Sequence, residues 1–596
     1  MNPDETFAVA TTWLASLGSA VDAETFAGHF LPTGWLRDLL CFSWDFRTLA
    51  GRGKIAEFLS ANVTNSDLSV SRFARAGLSD FQLETTSTLG SPATFPIPNN
   101  PQIQGVSGVF IFSLTSPPAK GRGFFRLARD AEGSWKAFTL LTNIQDLVGH
   151  EEAVGRPLGY LETPWEEIRA KRIREVEEDP TVLIVGGGQS GLMCAARFGR
   201  MGIRAIIIEK TARIGDVWRN RYPNLSLHTG AHHSSILYHP WPKTYPFYLP
   251  KEKIADFLEA YAIGQELNVW TSSTIIDHPT YNGVTRRWSV EIERSGKRVP
   301  LTPRHIVLAT GNGEARTPTW PGIDSFAGVL YHSDNHKGGA PFKGKRVVVV
   351  GACNAAGDIC KDFVHKGAAE VTMVQRSATC VISETAAKVG FDSAFPDKLS
   401  IEDADLQNQS TPYALVMQVA AGGLTQRLKN MDEKLLQGLE KAGFKLTWEL
   451  TPGGGEVGLI GFLLEKTASG TMLDMGCGQL IVDGKIKIKQ GVDIEKLDAD
   501  GIVFKDGSKI ASDVIVLATG NEPIIANAVS ILGEGIKEKV GSRIWGLDEE
   551  GELIRCYRPT GAPGLWFAPG AFQHPRFFSK HLALQILAEE LGLKQL

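Results

Sequence analysis

Two stretches of this sequence have the residue types and spacing to hold the diphosphate of a dinucleotide. In Val182-Leu-Ile-Val-Gly186-Gly-Gly188-Gln-Ser190-Gly191 an apolar run ends in closely spaced glycines, and a helix-like stretch from Leu192 to Met201 follows. Gly186 permits a tight turn, Gly188 lets the backbone approach a pyrophosphate, and Gly191 lets helix and strand pack closely. The diphosphate would rest on the helix N-terminus, where free N–H groups and the dipole favour anions. A second apolar run, Ala205-Ile-Ile-Ile, ends at Glu209, 23 residues beyond Gly186. A carboxylate there accepts hydrogen bonds from ribose hydroxyls and repels a 2′-phosphate, so the first site reads as one for FAD or NAD rather than NADP. Ser190 and Lys210 flank it as further contacts.

The second stretch, Val347-Val-Val-Val-Gly351-Ala-Cys353-Asn354-Ala355-Ala356-Gly357-Asp358, departs from that pattern: Cys353 stands at the second glycine position and Ala356 at the third. The strand after it decides the reading. Val371-Thr-Met-Val-Gln375 ends in Arg376-Ser377, with Arg376 placed 25 residues after Gly351. A guanidinium can fork onto a 2′-phosphate and a hydroxyl adds a donor, so this site reads as NADPH-specific. Cys353 serves as a small side chain in the turn, since no resolving cysteine lies near it in sequence. Leu308-Ala-Thr310-Gly311-Asn312 and Leu517-Ala-Thr519-Gly520-Asn521 are near-copies, each ending a strand. Two such pairs imply an NADPH unit inserted into an FAD unit.

The elements that must position these residues follow from periodicity. From Thr181 onward apolar runs alternate with helical patterns, and His305 to Leu308, Val347 to Val350 and Val514 to Leu517 suit buried strands of a parallel sheet. Residues 1–150 read as an α+β unit. Asp22 caps a short helix, Leu40 to Phe46 alternate as a strand, and Ile55, Phe58 and Leu59 mark a helix. Strands are expected over Gly108 to Thr115, Phe124 to Arg129 and Trp135 to Leu141, the last two joined at Asp130-Ala-Glu-Gly133. Helices followed by an antiparallel sheet resemble the NTF2-like cone fold, which serves either as a packing or homodimerisation module or as a ligand pocket. Residues 151–180 form a charge-dense helical linker. The expected division is then 181–335 for the first FAD part, 336–515 for the NADPH unit with an insertion at about 380–480, and 516–596 for the second FAD part. That insertion, beside a flavin site, is a place for a substrate lid.

With these motifs placed, the chain resembles the flavin-containing monooxygenases, most of all the YUCCA-type branch. The supporting stretches are Gly186 to Gly191, then Ile214-Gly215-Asp-Val-Trp218-Arg219-Asn-Arg-Tyr222-Pro, and Phe326-x-Gly328-x-x-x-His332; Gly351 to Asp358, Gln375-Arg376-Ser377 and both Ala-Thr-Gly exits complete the set. One departure stands out: the fingerprint normally ends in an aromatic four residues after its histidine, and here that place is His336. The resemblance implies two Rossmann-like domains and a reaction in which NADPH reduces FAD, O2 forms a C4a-hydroperoxide, and one oxygen atom passes to a small organic substrate at N, S or C. It places Trp218 and Arg219 beside the FAD, the arginine near the diphosphate, and His228 beside the isoalloxazine. Asn312 and Asn521 become candidates for flavin or nicotinamide contacts. Ser579 reads as the N-cap of a helix from Lys580 to Leu591 whose start faces the flavin pyrimidine.

Composition bounds the alternatives. The chain has 596 residues, net charge −4 from 62 Lys+Arg against 66 Asp+Glu, and 43% hydrophobic residues. That is ordinary for several globular domains and nothing marks a nucleic-acid binder. With no apolar window of membrane length, no basic leader and seven scattered cysteines without a C-x-x-C pair, a reducing cytoplasmic setting is expected, without disulfides or zinc. A metal at His332 and His336 lacks a third ligand. Competing functions are a Baeyer–Villiger monooxygenase, whose fingerprint ends in a Trp absent here, a disulfide reductase, which needs a cysteine pair, an NADPH oxidase, and a non-catalytic binding protein.

Overall fold

Asn2 starts the first helix, α1 (Pro3–Gly18). Its side chain accepts from Glu5 N at 2.9 Å while the Glu5 carboxylate accepts from Asn2 N at 3.0 Å, so two first-turn donors are satisfied reciprocally. The computed structural model describes residues 1–65, 68–97, 100–155, 162–467 and 469–594. Asp22 caps α2 (Ala23–Ala27) in the same way, and α3 (Arg52–Ser60) lies where the sequence puts it. Seven strands follow the order β1 (Phe30–Leu39), β2 (Phe46–Ala50), β3 (Ser79–Leu83), β4 (Ala93–Ile97), β5 (Asn100–Thr115), β6 (Pro118–Arg129) and β7 (Trp135–Leu147). They form one sheet ordered β2-β1-β7-β6-β5-β3, with β4 also on β5.

Two expectations for this unit are corrected. Leu40 to Phe46 is not a strand: β1 ends at Leu39, Leu40 takes φ +76°, and the Asp38 carboxylate accepts from Cys41 N at 3.1 Å and Phe42 N at 3.0 Å to hold the bend. The true strand hides because Arg37 and Asp38, though charged, are buried. The sheet is also not purely antiparallel, since β1 runs parallel to β7. Its interior is aromatic. Gly121 and Gly123 of β6 face Phe112 and Phe110 of β5, and an added Cβ would stand 2.2 Å from each ring, so the glycines make room for the phenylalanines.

Helix α4 (Trp165–Glu178) has no buried residue, and residues 156–161 of the expected linker lie outside the described residues. Beyond it come β8 (Val182–Val185), α5 (Gln189–Arg200), β9 (Ala205–Ile208), β10 (Val269–Trp270) and β11 (His305–Leu308). Next are β12 (Val329–His332), β13 (Arg346–Val350), α6 (Asn354–His365), β14 (Glu370–Gln375), α7 (Ile401–Gln409), β15 (Lys487–Gln490) and β16 (Val514–Leu517). The chain closes with β17 (Leu565–Phe567) and α8 (Gln573–Glu590).

Two five-stranded parallel sheets result, ordered β10-β9-β8-β11-β17 and β12-β16-β13-β14-β15. The chain leaves the first sheet after β11, builds the whole second sheet, and returns with β17, so one Rossmann-like lobe is inserted in the other. Strand β12 pairs with β16 in the second sheet. The first lobe's opening part therefore ends before Val329, and the chain returns to that lobe after Leu517. The insertion between β14 and β15 is mostly helical, with a two-stranded parallel sheet of Cys380–Ser383 and Thr471–Asp474.

The N-terminal unit is welded to the rest by buried polar contacts. Arg37 is fully buried and pairs with Glu552 at 2.7 and 2.8 Å. Arg122 meets Asp403 of α7 at 2.6 Å, and Arg558 meets Asp45 at 2.8 Å. Phe46 stacks on Phe578 of α8, and Asn143 Oδ1 lies 2.7 Å from His581 Nε2.

Burial gives acid stability a sign. It pushes His574 down to about 4 and His233 and His581 down to about 3, and raises Asp38 to about 6. Against an unfolded histidine at about 6.5 and aspartate at about 3.9, the unfolded chain binds extra protons on these three histidines between those limits, while folded Asp38 binds one. The histidines therefore lower stability on acidification and Asp38 opposes them. Asp38→Asn is expected to steepen the loss by about one proton, about 1.4 kcal/mol per pH unit, in denaturation series between about pH 6 and 4.5; an unchanged slope would mean that Asp38 stays ionised in the fold.

Candidate functional site

The two nucleotide motifs turn out to be built alike. Gly186 has φ +111° and Gly351 φ +131°. A Cβ on Gly186 would lie 2.6 Å from Ala309 O, and one on Gly351 2.2 Å from Ala518 O. The exits return the contact, Ala309 N donating to Val185 O and Ala518 N to Val350 O, both at 2.9 Å. The near-identical Leu-Ala-Thr-Gly-Asn stretches are therefore the strand ends against which each glycine turn is pressed. Gly191 is held equally close, 2.0 Å from Gly186 O for an added Cβ. Gly188 differs: nothing lies within 4 Å of its Cβ direction, so it faces open space at the N-terminus of α5. The first motif thus has structural glycines on its flanks and an open one at its centre, the arrangement a diphosphate cradle requires.

Glu209 is buried and turned onto the loop, accepting from Gly187 N, Thr211 N and Thr211 Oγ1, each at 2.8 Å. Ser190 is buried and Lys210 exposed. Gly215, at φ +90°, caps the short helix carrying Trp218 and Arg219. Arg219 is not open to a diphosphate as expected: its guanidinium meets Asp216, Asp256 and Glu259 at 3.0–3.1 Å and Ile214 O at 2.7 Å.

Several side-chain atoms around Trp218 and the start of α8 are buried with no partner among the described residues: Trp218 Nε1, Asn224 Oδ1, His232 Nε2, His233 Nδ1 and Gln573 Oε1. Their segments converge, since Trp218 packs 6.2 Å from Phe572 and Arg576 Nη1 donates to His233 O at 2.8 Å. An unsatisfied buried polar group costs about 1–3 kcal/mol, so such a group of them fits a ligand with many hydrogen-bonding atoms, as a flavin has.

In the second motif Cys353 precedes α6 half-buried, and burial holds its thiol above the ordinary range, against a redox role. Ala356 is buried, Ala355 partly so, and Asn354 Oδ1 accepts from Leu473 N at 2.7 Å. Arg376 and Ser377 are exposed beyond β14, and Arg376 has no ion-pair or hydrogen-bond partner among the described residues.

Other candidates move. Ser579 is not an N-cap: α8 begins at Gln573, and Ser579 sits fully buried inside it, 3.4 Å from Arg197 Nε. Pro575 in the first turn costs no hydrogen bond, so the helix starts ahead of it. His228 Nε2 lies 3.1 Å from Asp358 Oδ2 on the second lobe. Asn312 is exposed and its backbone carbonyl accepts from Asn527 at 2.9 Å. Asn521 Nδ2 reaches Asp334 at 3.3 Å, Thr310 Oγ1 accepts from Asn527 at 3.1 Å, and Thr519 Oγ1 donates to Arg316 O at 2.5 Å. Gly311 and Gly520 take φ +68° and +77°.

His332 lies 3.1 Å from Gly520 O, tying the fingerprint to the second exit. His336 replaces the missing aromatic by stacking on Tyr331 at 9°, while its ring bridges Tyr331 Oη and Asp362, both at 3.0 Å. No group of three or more candidate metal ligands occurs among the described residues. Tyr222 and Asp358, buried, and Asn224, half-buried, given no role by sequence, prove to be interlobe partners. Their signal was position alone: Tyr222 and Asp358 stand inside motifs, and Asn224 follows one directly.

Residues 179–430 match the family model described as "Flavin-binding monooxygenase-like". Indole-3-pyruvate monooxygenase YUCCA1 of Oryza sativa subsp. japonica is 29% identical over 343 residues, 57% of this chain and 76% of that protein. Indole-3-pyruvate monooxygenase YUCCA6 of Arabidopsis thaliana is 29% identical over 348 residues, 57% and 75% respectively. Among solved structures, ε-caprolactone-bound cyclohexanone monooxygenase shares the fold at TM-score 0.50 and 16% identity, covering 69% of this chain and 88% of that one. By these relationships the chain is similar to flavin-dependent monooxygenases, with the likeness carried by residues 179–430.

Proposed function

We propose that this enzyme consumes NADPH and O2 to place one oxygen atom on a small organic substrate at nitrogen, sulfur or carbon. The observation that carries the reading is the contrast between the two lobes. The first ends its second strand in a buried carboxylate, Glu209, and the second in an exposed, unpartnered Arg376 beside Ser377. Bound FAD would supply the electron storage and O2 activation. Gly188 and the α5 amides would hold its diphosphate, and Trp218, His232, His233 and Gln573 would meet its ring or the substrate. Arg376 and Ser377 would select the 2′-phosphate. The interlobe packing would exclude water. Asn312, Asn521, Thr310, Gly311, Thr519 and Gly520, at the two strand exits, are the candidates for flavin or nicotinamide contacts. Residues 1–150 belong to this reading as an NTF2-like unit whose interior is filled by phenylalanines, so it acts by packing within the chain.

The test is coenzyme oxidation with a substrate panel headed by indole-3-pyruvate and including amines, thioethers and ketones, with H2O2 and oxygenated product both followed. Arg376→Ala is expected to raise the NADPH KM about 10- to 100-fold, the loss of a charge-assisted hydrogen bond, while NADH is little affected. Equal losses for both coenzymes would remove the 2′-phosphate assignment. Ester formation from ketones would replace the reading by Baeyer–Villiger chemistry, and an enzyme that never oxidises NADPH would end it.

A further inference from the structure

The segment from Trp218 to Gly230 belongs to the first lobe at both ends and to the second lobe in its middle. At its start Arg219 is held by Asp256 and Glu259, and Lys251 Nζ donates to Arg219 O at 2.8 Å. At its end Ser226 and Gly230 pair with the strand Tyr248–Pro250. Between these anchors Tyr222 and Leu225 are buried in the core of the second lobe, in one cluster with Val347, Val349, Ala356 and Ile359. One carboxylate gathers the polar contacts. Tyr222 Oη donates to Asp358 Oδ2 at 2.8 Å, His228 Nε2 lies 3.1 Å from the same oxygen, and Asn224 Nδ2 donates to Asp358 O at 2.8 Å. Asp358 is 5% exposed and Tyr222 2%. A further bond crosses nearby, Lys337 Nζ to Asn220 O at 2.9 Å.

We infer that residues 218–230 are a strap that fixes the two nucleotide lobes at one separation, and that Asp358 is its positioning residue. Asp358 stands at the end of the second glycine motif, on the helix that would face the coenzyme diphosphate, while Trp218 begins the strap against the flavin side. A strap spanning both converts the rigid packing of one lobe into the placement of the other. The distance between a bound nicotinamide and a bound flavin is then set chiefly by the Tyr222–Asp358 contact, outside both ring sites. Misplacement of reacting groups by about 1 Å costs roughly 100-fold in rate, so a loosened strap should appear in hydride transfer rather than in binding.

The inference rests on the functional reading above, and the test separates the two. In FAD-free protein, Asp358→Leu is expected to speed amide hydrogen exchange over residues 219–230 at least about 10-fold, from the loss of two charge-assisted hydrogen bonds, with the rest of the first lobe unchanged. In the holoenzyme the same variant should keep its FAD and its NADPH KM but lose about 10- to 100-fold in the anaerobic rate of flavin reduction. Asp358→Asn, which still accepts from Tyr222, should recover most of both. If Asp358→Leu does not fold, the double variant Tyr222→Phe/His228→Leu is read in the same way. Unchanged exchange over the strap overturns the inference. So does a uniform rise in exchange with lost FAD but a normal reduction rate per bound flavin. A wild-type enzyme that NADPH does not reduce refutes the functional reading instead, and the strap then stands or falls on the exchange data.

Discussion

Gly188→Ala should purify as a stable, colourless protein. Its backbone, at φ −79° and ψ −175°, suits any residue, and an added Cβ meets nothing within 4 Å. The fold therefore has no reason to resist the methyl group. A diphosphate seated on the α5 amides does, because the methyl would stand where the phosphate oxygens approach. Overpacking by about 1–3 kcal/mol together with lost bonds to a charged group of about 1.5–3 kcal/mol predicts roughly 10²- to 10⁴-fold weaker FAD binding. Visible absorbance per polypeptide and the melting temperature together give the answer. The control is Gly191→Ala, whose methyl would lie 2.0 Å from Gly186 O and should abolish soluble protein. A yellow Gly188→Ala enzyme with full flavin content would displace the cradle from this loop.

Arg37→Met is expected to lose about 3–5 kcal/mol of stability, the penalty for stranding a buried charge. Arg37 and Glu552 are 0% and 1% exposed. Glu552 also accepts from Thr48 Oγ1 at 2.6 Å, and Arg37 donates to Gln409 O at 2.5 Å. Three parts of the chain meet at this pair: the N-terminal sheet, the insertion helix α7 and the segment before β17. Adding Glu552→Leu should restore most of the loss, because the orphaned carboxylate and not the missing attraction is the cost. Chemical denaturation of the single and double variants decides it, and a neutral Arg37→Met would mean that water reaches the pair. By the same argument a chain lacking residues 1–150 should aggregate, since it would expose Glu552, Phe578 and His581 together.

Much of the nucleotide-binding core was legible because its signals are local. A run such as Val347 to Val350 followed by glycine specifies a buried strand and a turn within ten residues, and both sheets contain the strands so expected. The contrast of Glu209 with Arg376 is likewise a matter of what ends a strand. Errors came where a local signal was overruled. Leu40 to Phe46 alternates like a strand, yet the strand is its neighbour, in which Arg37 and Asp38 read as surface residues. Ser579 carries a capping residue's chemistry, but Pro575 fits the first turn and the helix begins at Gln573.

Spacing along the chain determined the two glycine turns and the strands feeding them, and supplied the nucleotide proposed for each, because each depends on residues within about 25 positions of one another. The tertiary structure alone decided that Arg37 meets Glu552, that His228 turns to Asp358 instead of standing free beside a flavin, and that the N-terminal unit is part of the enzyme's core. Such partners lie 130 to 515 residues apart. A buried charge carries no mark in its own neighbourhood of what will neutralise it, and only the folded chain brings the answer within hydrogen-bonding distance.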